Sequence, residues 1–161
     1  MIVAADSNWG IGKDNRLLIS IPADMKFFRQ TTRGHVVVCG RKTLESFPGG
    51  RPLPDRTNII LSSNQSFGAK GAQVVHSLQE LLEELKQYDP DEVCCIGGAS
   101  LYRELLPYTD LVHVTRIDHA YDADTYFPNL DEDPQWELTG RSDEQVYFDL
   151  TYHFCRYERR K

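Results

Sequence analysis

"HVVVCGRKTLESF" (residues 35–47) joins two patterns that belong to different secondary structures. Val36 to Cys39 is a short, unbroken apolar run, the mark of a strand covered on both faces. Gly40 closes it, and from near Lys42 the spacing of apolar residues becomes helical. A buried strand running straight into a helix is one unit of a parallel sheet. Parallel neighbours need a crossover, and a helix is the usual one.

The chain repeats that unit. Further β-rich runs lie at 1–6, 58–62, 73–75, 92–96 and 110–117, and two more, near 135–140 and 147–157, read as an antiparallel pair. Helical patterns occupy 22–32, the stretch from about Lys42, a segment starting at Ser77, and "ASLYRELL" before Pro107. "SLQE" places Ser77 at an N-cap and Glu80 at N3, a capping box. The order predicts a single-domain α/β fold over residues 1–161: a central, mostly parallel mixed sheet with an antiparallel C-terminal edge, flanked by about four helices. Residues 7–21 and 118–131 fit neither pattern, and long loops in compact domains are often functional.

A chain of 161 residues with 40% hydrophobic and 26% charged residues reads as one ordinary globular domain. Its net charge of −6 argues against a broad nucleic-acid surface, which needs a basic excess. No apolar stretch approaches the roughly 18 residues that span a bilayer, so no membrane partner is expected. "MIVAAD" at the N-terminus lacks the regions of a signal peptide. Cys39, Cys94, Cys95 and Cys155 sit in apolar runs without CxxC spacing, so free thiols in a reducing cytoplasm are expected. The five histidines show no metal spacing, and "DEDPQWE" (131–137) lacks the EF-hand pattern and reads as a solvated loop.

Three stretches carry candidate chemistry. In "VVVCGRKT" (36–43), Gly40, Arg41, Lys42 and Thr43 stand at a helix start, where N–H groups and two cations suit an anion; the same pattern also describes a solvated turn. In "VCCIGGAS" (93–100), Gly97-Gly98 admits either a pyrophosphate or simply a tight turn. Neither is a Walker A loop or a Rossmann fingerprint. Two phosphate sites at separate strand–helix junctions suit a dinucleotide with an extra phosphate. Arg41, Lys42, Ser62 and Ser63 would receive a 2′-phosphate, which favours NADPH over NADH. In "LLISIPADMKFF" (17–28), Asp24 precedes Phe27 and Phe28 by three and four residues, on one helix face. Such an acid either complements the helix dipole or performs chemistry.

"GIGKDN", "IPADMKFF", "CGRKTLESF", "GRPLPDRTNIILSS", "IGGASLYRELLP" and "DTYFP" occur in this order over nearly the whole chain, which resembles the bacterial dihydrofolate reductases. The resemblance implies a central eight-stranded sheet and NADPH lying across the C-terminal strand ends. It also implies reduction of 7,8-dihydrofolate to tetrahydrofolate by a cytoplasmic monomer, a step of one-carbon metabolism and an antifolate target. It assigns catalysis to Asp24, the acid that pairs with the pterin, and to Thr115 in "HVTRI", whose hydroxyl meets that acid. Phe28 would pack on the pterin and aminobenzoyl rings, Val3, Ala4 and Ile96 would line the pterin pocket as backbone positions with Ile19 beside it, and Phe47 and Leu53 would wall the benzoyl ring. Arg56 would hold the α-carboxylate of the glutamate tail.

On the cofactor side the resemblance implies a phosphate turn at Gly40, Arg41, Lys42 and Thr43, and an adenosine side at Leu61, Ser62 and Ser63. Ala4, Ile96 and a cis Gly97-Gly98 peptide would border the nicotinamide, followed by Ala99, Ser100, Leu101 and Tyr102. Ile11, Gly12, Asn15 and Leu17 would lie on a loop closing over the nicotinamide, supported by "DADT" (122–125) with Thr125. Three residues or segments depart from the family pattern. Ile19 stands where a tryptophan is usual, "SFPGGRP" is longer than the common form by two residues, and Ser100 replaces an arginine. The alternatives are a pyrimidine or pteridine reductase of the same fold and a non-catalytic NADPH-binding relative. Arg56 argues against the first, and the intact set Asp24, Thr115, Phe28 and Arg56 against the second.

Overall fold

The computed structural model describes residues 1–161. Its strands are β1 (Ile2–Ala5), β2 (Gly10–Gly12), β3 (Val36–Gly40), β4 (Thr57–Leu61), β5 (Gln73–Val75), β6 (Val93–Cys95), β7 (Leu111–Ile117), β8 (Thr125–Tyr126), β9 (Trp136–Arg141), β10 (Gln145–Tyr147) and β11 (Leu150–Arg159). Its α-helices are α1 (Pro22–Thr32), α2 (Arg41–Glu45), α3 (Leu78–Leu85) and α4 (Ala99–Leu105). No helix is long and apolar enough to cross a membrane.

The strands hydrogen-bond as a parallel group in the order β5-β4-β3-β6 and a second group in the order β1-β7-β11-β10, with β9 also on β11. β1 pairs β7 in parallel, while β11 runs antiparallel to β7, β9 and β10. This is the expected mixed arrangement with an antiparallel C-terminal edge, but its strands fall into two hydrogen-bonded groups. The expected eight strands therefore resolve into groups of four and five. The Tyr102 hydroxyl of α4 donates to the Ile2 carbonyl of β1 at 2.7 Å, which links the two groups. From β3 the chain moves one way to β4 and β5, then crosses back to place β6 on the other side of β3. The carboxyl ends of β3 and β6 thus form a topological switch point, the usual crevice for ligands in open α/β sheets.

Val36, Val37, Val38 and Cys39 are each at most 4% exposed, as the opening run requires. Burying such side chains is worth about 1.5–3 kcal/mol each before the entropy of ordering is counted. Ser77 caps α3 by accepting the Glu80 N–H at 3.0 Å, but Glu80 reaches back to the His76 N–H, one residue before the cap itself. Burial pushes the Cys39 and Cys95 thiols up to about 12, so both are inert packing residues.

Four expectations need correction. Residues 7–21 and 118–131 hold a two-stranded ribbon, β2 with β8, whose strands are too short to show a period. The expected strand 147–157 is two strands, broken at Phe148, which has φ +56 and lies 84% exposed. The helix from Lys42 is a single turn, because Phe47 precedes Pro48 and must leave helical geometry. The acidic loop is also more than solvated. Asp131 accepts from Arg116 at 2.9 Å and from the Tyr157 hydroxyl at 2.8 Å, and Trp136 is 3% exposed beneath Arg159.

Candidate active site

Strand parity decides what faces Asp24. Ala4 on β1, Thr115 on β7 and Phe154 on β11 are register partners, so their side chains stand in a row on one face of the sheet. Phe27 of α1 docks on that row, with ring centroids 5.1 Å from Phe154 and 5.6 Å from His113. Asp24 lies three residues before Phe27 on the same helix face. The Thr115 hydroxyl donates to Asp24 Oδ1 at 2.6 Å, while Oδ2 has no partner within the protein. Burial raises the Asp24 carboxyl above its ordinary value, and the bond from Thr115 pulls it partly back.

The second polar group of the cleft is built from α1 and the turn before β4. Arg56 Nε donates to Thr32 Oγ1 at 2.9 Å and Nη1 to the Pro54 carbonyl at 2.9 Å. Thr32 passes its own proton to the Phe28 carbonyl at 2.8 Å, the back-bond to residue i−4 that helical threonines often make. The guanidinium stands 5.9 Å from the Phe28 ring, and Nη2 has no protein partner. Partial burial, and then Arg33, lower its proton affinity. The adjacent Asp55 bonds Arg33 at 3.0 Å, which leaves Arg56 free for an outside carboxylate. Phe28, Phe47 and Leu53 are half-buried on one apolar cluster with Ile96. Leu53 is held at both polar atoms of its backbone: its N–H donates to Asn58 Oδ1 at 3.0 Å and its carbonyl accepts from Asn58 Nδ2 at 2.9 Å.

At the switch point, Ile96 N–H donates to the Val38 carbonyl and Gly40 N–H to the Gly97 carbonyl, both at 2.9 Å. The Gly97-Gly98 peptide is cis. Gly97 has φ +114, a conformation that favours glycine, and a Cβ there would press on the Tyr102 ring at 3.3 Å. Gly98 faces Thr43 Oγ1 at a like-constructed 3.4 Å, which brings the two glycine turns of the sequence together. Arg41 is half-exposed and Lys42 and Ser63 are exposed. Ser62 is buried, and its hydroxyl accepts the Asn64 N–H at 3.3 Å. Because α2 is one turn long, anion attraction here rests on the two cations rather than on a helix dipole. Asn15 Nδ2 donates to the Lys42 carbonyl at 3.3 Å, joining the 7–21 loop to this turn, and Leu17 is 59% exposed on that loop. Gly12 accepts from the Asp124 N–H at 3.0 Å, beside half-buried Ile11 and Thr125.

The model for dihydrofolate reductase matches residues 1–159. The chain belongs to the dihydrofolate reductase family. It is 41% identical over 163 aligned residues to a dihydrofolate reductase of Bacillus subtilis (strain 168), covering 99% of this chain and 93% of that one. With that of Haemophilus influenzae it shares 40% identity, with 94% of each chain covered. A dihydrofolate reductase from Enterococcus faecalis, solved with NADP(H) and RAB-propyl, superposes with a TM-score of 0.87 at 35% identity, covering 99% of this chain and 95% of that one.

Not every residue named from the sequence presents its side chain to the cleft. Leu101 is 2% exposed and Val3 9% exposed within the main core, so neither side chain opens to the cleft. Tyr102 is likewise buried, with its phenol held well above the ordinary range by that burial. Leu61 packs against the same core, whereas Ala99 is half-buried and Ser100 exposed beyond the glycines. Ile19 and Ala4 pack around Ile21, Ile117 and Tyr152 in a mixed aliphatic and aromatic cluster. Sequence reading missed Thr32 and Asn58. The signal for Thr32 was a threonine four residues after Phe28; Asn58, a polar residue opening "NIILS", gave none beyond its place in an apolar run.

Proposed function

We propose that the chain reduces 7,8-dihydrofolate to 5,6,7,8-tetrahydrofolate with NADPH, moving a hydride from nicotinamide C4 to pterin C6 and a proton to N5. The observation that carries this reading is the half-buried Asp24–Thr115 pair, set in a cleft beside Arg56, in a chain matched to the family over residues 1–159.

The residues present fit a phosphorylated dinucleotide. Half-exposed Arg41 and exposed Lys42, hydroxyls at Ser62 and Ser63, and a glycine pair pressed against Tyr102 and Thr43 all lie at carboxyl ends of parallel strands. Arg41, Lys42, Ser62 and Ser63 would hold the 2′-phosphate. The bound nicotinamide supplies the hydride; the protein supplies orientation and electrostatics.

Thr115 fixes Asp24 Oδ1, so the carboxyl is oriented before any ligand arrives and its open oxygen, Oδ2, is where a proton resides when the raised group is neutral. Donors on the pyrimidine edge of a pterin stabilise the ionised form and replace that proton. That edge points away from N5, so Asp24 assists protonation there through solvent. Arg56 offers its free Nη2 to the substrate's tail carboxylate while Thr32 and Pro54 hold the guanidinium in place. On this reading the protein acts as a one-domain monomer in the cytoplasm, a setting that its four free cysteines support.

The test is direct. Purified protein should consume NADPH only when dihydrofolate is added, and binding of NADPH without turnover would refute the reductase reading.

A further inference from the structure

We propose that the face of the sheet turned away from Asp24 carries a second binding site, a pocket over β7, β9 and β11 in which Arg116 and Arg141 hold a small organic carboxylate. Side chains alternate along a strand, so the residues next to Thr115 and Phe154 point to the opposite face. There Arg116 of β7 is the register partner of His153 of β11, and Arg141 of β9 is that of Cys155. These four residues line one cavity of about 350 Å³, the size of a small-molecule site.

The acids beside these cations leave them only partly matched. Arg116 Nη1 donates to Asp131 Oδ2 at 2.9 Å, and Asp131 Oδ1 accepts from the Tyr157 hydroxyl at 2.8 Å, so both oxygens of that carboxylate are in use. The other edge of the Arg116 guanidinium is unused. Nε is buried with no partner, and Nη2 reaches only the Ser7 carbonyl at 3.5 Å, the outer limit of a hydrogen bond. The Trp9 ring centroid lies 4.1 Å from the guanidinium carbon, which holds the group in place. Nε and Nη2 are parallel donors of the kind that receive a carboxylate bidentately. An unpaired buried donor is costly, and a carboxylate received at this edge removes that cost.

Arg141 meets no acid. Its Nη2 stands 3.4 and 3.5 Å from the two ring nitrogens of His153, long for hydrogen bonds and committed to neither. Asp118, the other acid of the pocket, accepts from the Thr151 hydroxyl at 3.4 Å. Like charges side by side on a sheet are destabilising, and an anion among them reverses that. Burial raises the Cys155 thiol, while Arg116 and then Arg141 pull it back, so the fields of both cations converge on the pocket floor. The thiol stays neutral and does not compete for them. Leu138, 44% exposed, adds an apolar wall, which suits a carboxylate on an apolar body better than a bare inorganic anion.

The site is on the far face from Asp24, so its test stands whether or not the chain reduces dihydrofolate. The probe is benzoate, titrated into the full chain at constant ionic strength and followed by backbone and imidazole NMR shifts. Saturable shifts are expected at Arg116, Arg141, His153 and Cys155. Arg141→Gln, at an exposed position, should weaken benzoate about fivefold or more. Lys86→Gln, the same change of charge on α3, should leave its affinity within about twofold. Arg116→Lys keeps the charge but removes the fork, and should cost about threefold or more. Inorganic phosphate should bind about tenfold more weakly than benzoate, for want of an apolar body. Shifts that never saturate, or that are confined to residues around Asp24 and Arg56, would overturn the proposal. So would equal losses in Arg141→Gln and Lys86→Gln, an unchanged affinity in Arg116→Lys, or phosphate binding as tightly as benzoate.

Discussion

The two sides of the cleft are built on opposite principles. On the pterin side each polar side chain is already held in place by a protein partner: Asp24 by Thr115, Arg56 by Thr32 and Pro54, Thr32 by Phe28. On the phosphate side Lys42 and Ser63 stand in solvent, and Arg41 meets only Glu45, at 3.7 Å and largely exposed. The first side gains selectivity by fixing geometry in a low-dielectric wall, where an ill-matched ligand leaves buried groups unpaired. The second gains attraction for a highly charged ligand by leaving cations unspent, at the cost of screening by salt.

Removing the acid should break this contrast most severely. Asp24→Asn should lower turnover near neutral pH by about a hundredfold or more, with partial recovery in acid, where the substrate itself is more readily protonated. An unaltered pH–rate profile would show that Asp24 is not the acid of the site. The same variant has a stability signature. Burial raises the folded-state pKa of Asp24 above its ordinary 3.8, so its contribution is fully present below that value and is lost as pH rises through the raised one. Thermal unfolding of the ligand-free protein, followed upward from about pH 4, should show a decline that Asp24→Asn lacks.

Next in size, Arg56→Ala should raise the KM for dihydrofolate about ten- to a hundredfold, the cost of a charge-assisted bond, and leave NADPH affinity untouched. Equal losses for both ligands in a titration would mean that Arg56 supports the fold rather than the substrate. Smallest, Arg41→Ala and Lys42→Ala should each weaken NADPH by up to about fivefold at low salt, converging on the parent as ionic strength rises. A salt-independent loss would place these side chains among the rigid contacts and erase the distinction between the two sides.

The parallel half of the fold was legible because its strands are buried on both faces and announce themselves as apolar runs. Val36 to Cys39 and Ile59 to Leu61 needed only their hydropathy. The β2–β8 ribbon was not legible, since Gly10–Gly12 and Thr125–Tyr126 are held by partners distant in sequence and have no local period. Among site residues, Asp24 stood out as a charge in an apolar stretch and Arg41-Lys42 as cations after a strand. Thr32 and Asn58 were invisible because their roles depend on which carbonyls and donors the fold brings to them. The brevity of α2 was readable from Pro48, and attending to it would have moved the anion argument from helix dipole to side-chain charge.

Asn58 has a consequence for the rim of the cleft. Its amide grips Leu53 at both backbone atoms, as a neighbouring strand would, while Phe47 is secured at the other end by its N–H to the Leu44 carbonyl at 3.1 Å. Residues 48–52 therefore hang between two moorings, and Gly49 and Gly50, both with positive φ, turn the chain between them. Lengthening such a span adds only about 0.6 kcal/mol per doubling of its length. Pro48 to Arg51 are exposed and form the solvent side of the rim above Phe47 and Leu53. The height of that rim is a dimension this protein can change independently of its chemistry.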